Sequence, residues 1–96
     1  LSLDGRKEIH DRFRKDYARC ARRGWDMSVV DDAMRVLASG QRLPPTFRDH
    51  PLKGNMSGCR ECHIAPDWLL VYRKIENMLV LEFISTGTHR ELGLGG

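Results

Sequence analysis

The chain has 96 residues, of which 16 are basic and 13 acidic, giving a formal net charge of +3 and a sequence pI of about 9.0. This length fits a single domain, residues 1–96, with room for one core, and the basic balance favours an anionic partner. No apolar run approaches the roughly 18 residues that a membrane span needs, and three cysteines make no disulfide framework, so we expect a cytoplasmic protein with no membrane partner.

The amino-terminal half of the sequence predicts one strand and a helical hairpin. After residues 1–6, interpreted as an altered or trimmed terminus, a short strand is expected, and apolar residues then recur at the spacing of an amphipathic helix. Ser28 is interpreted as the N-cap of a second helix, and the short link before it favours an antiparallel pair. The predicted elements are a strand at 7–10, a helix from Asp11 that stops at Gly24, and a helix from Ser28 that ends at Gly40.

The carboxyl-terminal half predicts a loop followed by three antiparallel strands. Pro44 and Pro45 forbid a continuing helix, so residues 43–58 are expected to form a loop. The predicted strands are 59–64, 68–74 and 79–85, joined by short turns at 65–67 and 76–77, with 93–96 as a flexible tail. The predicted architecture is α+β in the order β-α-α-β-β-β, with the helical hairpin on one face of a small, twisted, mostly antiparallel sheet.

Titratable side chains suited to acid-base chemistry on an anion are concentrated in residues 43–68. His50, Glu61, His63 and Asp67 lie there, interleaved with basic residues. Side chains two positions apart on a strand share a face, so Glu61 and His63 should lie side by side. On the predicted strand, Cys59, Glu61 and His63 face one way, and Arg60, Cys62 and Ile64 face the other.

The pair Cys59 and Cys62, with histidines elsewhere in the chain, invites the interpretation of a zinc site. On a strand, positions i and i+3 lie on opposite faces, so the two thiols should diverge unless the segment forms a tight knuckle. The sequence therefore favours a protein without a metal or other cofactor. Cys20 and Cys62 are interpreted as core residues, and Cys59 as a residue in the wall of the site.

Three stretches carry the most distinctive motifs of the chain. They read F-R-D-H-P-L-K-G from residue 47, G-C-R-E-C-H-I-A-P-D-W-L-L-V-Y from residue 58, and T-G-T-H from residue 86. Together they resemble the YafQ-type branch of the RelE toxin superfamily, endoribonucleases of bacterial toxin–antitoxin systems. The resemblance implies a RelE-like fold with His50, His63, Asp67 and His89 at the catalytic positions. It implies His89 as proton donor, His50 or His63 as base, and Asp67 as a carboxylate that orients one imidazole.

These residue types suit RNA cleavage through the ribose 2′-hydroxyl. A base removes the proton from that hydroxyl, donors neutralise the phosphorane, and an acid protonates the leaving 5′-oxygen. Histidine suits both proton transfers because its unperturbed pKa of about 6.5 leaves both forms populated near neutrality. The chemistry requires no metal. The expected products are a 2′,3′-cyclic phosphate and a 5′-hydroxyl, and DNA, which lacks the 2′-hydroxyl, would not be cut.

The resemblance also implies partners and an RNA-binding surface. Toxins of this branch cut mRNA in the ribosomal A site, and a cognate antitoxin blocks them and carries the toxin–antitoxin hetero-oligomer to operon DNA. We therefore expect contacts with mRNA, the 70S ribosome and an antitoxin. The candidate RNA-binding residues are Lys53, Arg60, Glu61, Arg19, Arg22 and Arg23, the last three on a solvent-facing stripe of the first helix.

Two positions depart from the pattern of this branch. Glu61 stands where close relatives carry aspartate, and Gly93 stands where they carry an aromatic residue, four positions after the last histidine. Two alternatives to an active ribosome-dependent nuclease therefore stay open. One is a catalytically weakened RelE-fold module that still binds antitoxin and RNA. The other is a superfamily toxin that acts on a protein such as gyrase, an alternative against which the three histidines argue.

Overall fold

A five-stranded sheet with helices packed on it forms the framework of the protein, which the computed structural model describes over residues 7–75 and 80–94. The elements are β1 (Lys7–Ile9), α1 (Asp11–Arg22), α2 (Met27–Ala38), β2 (His50–Pro51), β3 (Arg60–Ala65), β4 (Trp68–Ile75), β5 (Val80–Gly87) and α3 (His89–Leu92). Two turns of 3-10 helix, Pro45–Phe47 and Gly54–Met56, lie in the predicted loop. Four predicted parts of the chain lie outside the described residues. They are the terminus 1–6, the turn at 76–77, the first residue of the strand at 79–85 and residues 95–96 of the tail.

The strands follow the order β1-β5-β4-β3-β2 across the sheet. β1 runs parallel to β5, and all other neighbouring strands are antiparallel. The predicted α+β architecture with a mostly antiparallel sheet is therefore confirmed. The structure adds β2, which extends the sheet beside β3, and α3, a single helical turn after β5. Each of these two additions carries a histidine of the predicted site. Among the described residues, no helix is long and apolar enough to cross a membrane.

The core lies between the two long helices and alternate residues of the central strands. α1 and α2 each bury residues at three- and four-residue spacing, because that spacing puts them on one helical face. Cys20 and Cys62 are fully buried in this core, which confirms their interpretation as core residues. Burial raises the pKa of the Cys62 thiol to about 12, so it stays protonated near neutral pH. Cys59 is buried as well, and its place in the wall of the site stays a prediction.

The start of α2 differs from the prediction. Its N-cap is Asp26, whose carboxylate accepts a hydrogen bond of 3.1 Å from the backbone nitrogen of Ser28. Ser28 lies inside the first turn, and its hydroxyl donates to the same carboxylate. The prediction that Ser28 caps the helix is wrong, because both residue types cap well and the sequence offers them two positions apart.

Replacing Asp26 with alanine is expected to lower the free energy of unfolding by about 1 kcal/mol, the usual cost of losing an N-cap. Ser28→Ala is the matched control, and its effect should be smaller because the cap acceptor remains. Urea denaturation followed by circular dichroism measures both variants. A larger loss for Ser28→Ala than for Asp26→Ala would contradict this assignment of the cap.

Candidate active site

Three histidines from three different elements lie in a row. The ring centroid of His63, on β3, is 5.9 Å from that of His50, on β2, and 5.7 Å from that of His89, in α3. These residues are far apart in the sequence and meet only because β2 pairs with β3 and α3 follows β5 directly. The structure therefore brings together the three histidines of the predicted catalytic set, with His63 in the middle.

The alternation of side chains along β3 separates this site from the core. Cys62 belongs to the buried cluster beneath the helices, whereas the Glu61 and His63 side chains meet His50 on the other face. The predicted division of the strand into two faces is thus confirmed for Glu61 and His63 on one side and for Cys62 and Ile64 on the other. Arg60, a predicted RNA-binding residue, shares the face of Cys62, and its Nε donates a hydrogen bond of 2.6 Å to Asp49. Its charge is balanced there, on the face away from the histidines.

The backbone before His50 sets the direction of its ring. Arg48 has a φ of 47°, the one positive value outside glycine among residues 7–75 and 80–94, and such a conformation is uncommon for a residue with a side chain. The Arg48 carbonyl oxygen lies 2.7 Å from Nδ1 of His50. A carbonyl can only accept, so Nδ1 carries the hydrogen and donates it. This contact leaves Nε2 as the nitrogen that faces the site.

Glu61 is a carboxylate inside the site. It lies opposite His50 in the β2–β3 register, and its Oε2 is 3.1 Å from His50 Nε2. The residue is only 6% exposed. The Glu61 carboxylate thus faces the His50 imidazole inside the site, and its contact with RNA stays a prediction.

The surroundings of His63 favour its neutral form. Burial lowers the pKa of His63 below its ordinary value of 6.5, and the nearby positive charge of Arg48 lowers it further. His89 and His50 act in the same direction when protonated, while Glu61 opposes them. Nδ1 of His63 is buried and has no hydrogen-bond partner among the described residues. A neutral imidazole has one nitrogen with a free lone pair, which is the form that accepts a proton.

Asp67 holds His89 and neither of the other two rings. Its Oδ1 accepts a hydrogen bond of 2.9 Å from the His89 backbone nitrogen and one of 2.7 Å from His89 Nδ1. These two bonds, the backbone bond first, hold the pKa of the Asp67 carboxyl below its ordinary value. Because Nδ1 is engaged, Nε2 is the His89 nitrogen that is free to meet a substrate. The sequence leaves open which imidazole Asp67 orients. In the structure Asp67 bonds the imidazole of His89.

Two of the three arginines predicted to form a solvent-facing stripe on α1 are engaged within the protein. Arg23 bonds Glu91 through both of its terminal nitrogens, and Arg19 Nε lies 3.0 Å from the same carboxylate. The predicted solvent-facing position is wrong for Arg19, which is half-buried, whereas Arg23 is exposed as predicted although it bonds Glu91. Contact of either residue with RNA stays a prediction. Arg22 and Lys53 are exposed, and their contact with RNA stays a prediction.

A metal ion would fit beside the middle histidine. The donor atoms of His50, Glu61 and His63 all lie within 4.8 Å of one another, in a group that contains neither cysteine. Two imidazoles and a carboxylate suit zinc or copper. The sequence suggests a metal site only with Cys59 and Cys62 as ligands beside the histidines. It does not suggest Glu61 as a ligand, because the β2–β3 register that joins His50 to Glu61 is not predicted.

Sequence reasoning also missed Glu91 and misplaced Gly93. A signal for Glu91 was present, since Thr88 and Glu91 have the T-x-x-E spacing of a capping box. Gly93 was assigned to a flexible tail, but it ends α3 with a φ of 69°, a left-handed conformation that glycine adopts without strain. The next residue, Leu94, donates a backbone hydrogen bond of 2.9 Å to the His89 carbonyl.

Comparisons with known proteins agree with this description. The chain matches the model of the family described as "Bacterial toxin of type II toxin-antitoxin system, YafQ" over residues 6–93. The mRNA interferase toxin YafQ of Escherichia coli strain K12 is 35% identical over 86 residues, covering 88% of this chain and 91% of that protein. The E. coli DinJ–YafQ complex matches with a TM-score of 0.86 at 33% identity, covering 93% of this chain and 98% of that chain. A metal-bound toxin from Helicobacter pylori matches with a TM-score of 0.85 at 36% identity, covering 92% and 98%.

The sheet, the helical hairpin and the row of histidines define a bacterial toxin with a RelE-like fold. Within that class the match extends over nearly the whole chain and includes all three motif stretches. The chain belongs to the YafQ family of toxins from type II toxin–antitoxin systems. The resemblance indicated by the motifs is confirmed.

Proposed function

We propose that this chain is an mRNA interferase that cuts mRNA on the ribosome until its antitoxin neutralises it. The observation that carries the proposal is the row of His50, His63 and His89, with Asp67 bonded to the last. A relative of the same family is named an mRNA interferase toxin. Such a row offers a proton acceptor and a proton donor within reach of one phosphate group.

His63 is proposed as the general base. Its lowered pKa keeps the imidazole neutral near pH 7, ready to take the proton of the ribose 2′-hydroxyl. The 2′-oxygen then attacks the adjacent phosphorus. Of the two bases that the sequence left open, His50 is the weaker candidate, because its Nδ1 is occupied by the Arg48 carbonyl and its Nε2 faces Glu61.

His89 is proposed as the general acid that protonates the leaving 5′-oxygen. The Asp67 carboxylate accepts from Nδ1, which stabilises the charged imidazolium and directs Nε2 outward. The 5.7 Å between the centroids of the His63 and His89 rings lets both reach oxygen atoms of the same phosphate. The guanidinium of Arg48 supplies positive charge for the phosphorane, and His50, which lies beside His63, is placed to contact a phosphate oxygen.

A transition metal bound by His50, Glu61 and His63 would supply Lewis-acid stabilisation of a phosphoryl oxygen. The same ligation would occupy a lone pair that His63 needs to accept a proton. Metal binding and proton transfer therefore compete for one nitrogen. We assign cleavage to the metal-independent route, in which these residues move protons and balance charge.

The proposed partners follow from the family and from the charge of the chain. The DinJ–YafQ complex supports an antitoxin partner for this toxin, with operon DNA bound through the antitoxin. The 70S ribosome and its mRNA supply the anionic surface that the net charge of +3 favours. Action on ribosomes implies a cytoplasmic location.

Brief expression of the chain without antitoxin is expected to produce discrete mRNA ends in register with codons, because the ribosomal A site presents one codon at a time. Sequencing of 5′ ends before and after induction measures this. His63→Ala at equal expression is the control and should give no new ends. Growth arrest with intact mRNA would contradict the proposal and favour a binding module or a toxin directed at a protein target.

A further inference from the structure

The helix that carries His89 is too short to hold its own position. α3 has four residues, and one helical turn is unstable alone because the cost of ordering it exceeds what its few hydrogen bonds return. The direction of the His89 ring therefore depends on contacts between α3 and the rest of the protein. The bond to Asp67 fixes the beginning of the turn, and a second set of contacts fixes its end.

Glu91 closes the turn on itself through a capping box. Its Oε1 accepts a hydrogen bond of 3.0 Å from the Thr88 backbone nitrogen, and the Thr88 hydroxyl accepts one of 3.1 Å from the Glu91 backbone nitrogen. Each residue satisfies a donor that the helix end would otherwise leave unpaired. His89 lies between them, so its backbone is enclosed by this reciprocal pair.

Arg19 of α1 and Arg23, the C-cap of that helix, both bind the Glu91 carboxylate. Arg23 donates to Glu91 Oε1 at 3.0 Å and also bonds Oε2, while Arg19 Nε lies 3.0 Å from Oε2 as an ion pair. The side chains of Arg19 and Arg23 are only 33% and 34% exposed. These bonds, that of Arg23 first, lower the pKa of Glu91 to about 2. We call Glu91, Arg19 and Arg23 the Glu91 clamp.

The Glu91 clamp is tied to the end of β5. Arg19 Nη1 donates a hydrogen bond of 3.0 Å to Asp16, which is 4% exposed and accepts one of 3.2 Å from the Thr86 backbone nitrogen. At Gly87, a Cβ atom would come within 2.9 Å of both Arg19 Nη2 and Glu91 Oε1. The clamp thus packs directly on the backbone that leads into α3, where Gly87 with a φ of 152° leaves room for it.

We propose that the Glu91 clamp is a positioning device that holds α3 on α1 and so directs His89 Nε2 toward the scissile phosphate. Glu91 touches no reacting atom in this scheme and acts through His89. The inference rests on the proposed role of His89 as general acid. It also assigns Arg19 and Arg23 to positioning instead of RNA binding, and leaves Arg22, which is exposed, for contact with RNA.

Glu91→Ala is expected to lower the single-turnover rate of ribosome-dependent cleavage by about 10²-fold, the loss typical of a small misplacement of a catalytic group. The KM for programmed ribosomes should stay near its wild-type value. Glu91→Gln keeps an acceptor for Thr88 but loses the charge that binds the arginines. Its cleavage rate should therefore lie between those of the wild type and of Glu91→Ala. Asp32→Asn, which breaks the exposed pair of Asp32 with Arg35, is the matched control and should cleave at the wild-type rate.

The arginines distinguish positioning from RNA binding. Arg23→Gln should lower the cleavage rate without changing the salt dependence of ribosome binding, whereas Arg22→Gln should flatten that dependence and leave the rate of bound toxin unchanged. The opposite pattern, with Arg23→Gln affecting only binding, would overturn the inference.

Amide hydrogen exchange tests the same point without activity. In Glu91→Ala, the His89 amide that bonds Asp67 should exchange faster, while the amides of β4 keep their wild-type protection.

In a His89→Ala background, Glu91→Ala should cause no further loss of cleavage, because groups acting through one step are not additive. Wild-type cleavage and exchange in Glu91→Ala, with His89→Ala inactive, would overturn the clamp alone. Wild-type cleavage by His89→Ala would overturn the proposed function itself.

Discussion

Alanine at His63 or at His89 is expected to lower the rate of mRNA cleavage by about 10² to 10⁴, because each substitution removes one proton transfer from the same transition state. The double variant should be little slower than either single variant, since residues that act as a unit are not additive. Single-turnover cleavage of mRNA on programmed ribosomes measures all three. Binding to the antitoxin should persist, because the substitutions leave the core untouched.

The control for this prediction is His10, the one histidine of the sequence outside the row of three. Its Nε2 lies 2.9 Å from Glu82 Oε2, and Glu82 is 7% exposed. Alanine there would leave Oε2 without its His10 partner, while Arg73 would still bond Oε1. His10→Gln keeps a donor for Glu82 and should cleave at the wild-type rate. Wild-type cleavage by a folded His63→Ala or His89→Ala protein would contradict the assignment of these residues as base and acid. It would favour the alternative that the chain is a binding module.

His89→Gln separates two roles of that side chain. Glutamine can still donate a hydrogen bond to a phosphate oxygen, but it cannot release a proton near neutral pH. If His89 is the general acid, His89→Gln should be as slow as His89→Ala. A clearly milder effect of glutamine would show that His89 only binds the phosphate.

The parts of the fold and site that the sequence predicts are those governed by local periodicity. The two-residue repeat of β3 alone separates Glu61 and His63 from Cys62, because neighbouring side chains on a strand must point to opposite faces. In the same way, the three- and four-residue spacing of apolar residues predicts which face of α1 is buried. The cap of α2 shows the limit of such signals, since Asp26 and Ser28 are equally good caps and only the folded backbone distinguishes them.

The parts that the sequence does not predict depend on contacts between distant segments. Glu91 and Arg23 are separated by 68 positions. No periodic pattern in the sequence indicates that a carboxylate after β5 will pair with arginines at the end of α1. Charge counting therefore places Arg19 and Arg23 on a free basic surface, whereas folding gives each of them a partner. The hydrogen bond between Asp67 and His89 is not predicted for the same reason, because the two residues are 22 positions apart in the sequence.

A single 2′-deoxy substitution at the nucleotide 5′ to the scissile phosphate is expected to abolish cleavage, because the proposed nucleophile is the 2′-oxygen at that position. The same substitution one nucleotide away should leave cleavage intact. Analysis of the product ends should find a 2′,3′-cyclic phosphate and a 5′-hydroxyl in the all-ribose substrate. Cleavage of the 2′-deoxy substrate at the same bond would mean that a water molecule attacks the phosphorus.

A metal ion, if bound by His50, Glu61 and His63, would be able to activate such a water. The same assay with a chelator selective for transition metals, which leaves ribosomal magnesium in place, tests this route. In the proposed mechanism the chelator leaves the cleavage rate unchanged or raises it, because any bound ion would block proton transfer to His63. Added zinc or copper should slow cleavage for the same reason, and Glu61→Gln should weaken that inhibition by removing the anionic ligand. Loss of cleavage with the chelator, restored by zinc or copper, would overturn the metal-independent assignment and make the three side chains a catalytic metal site.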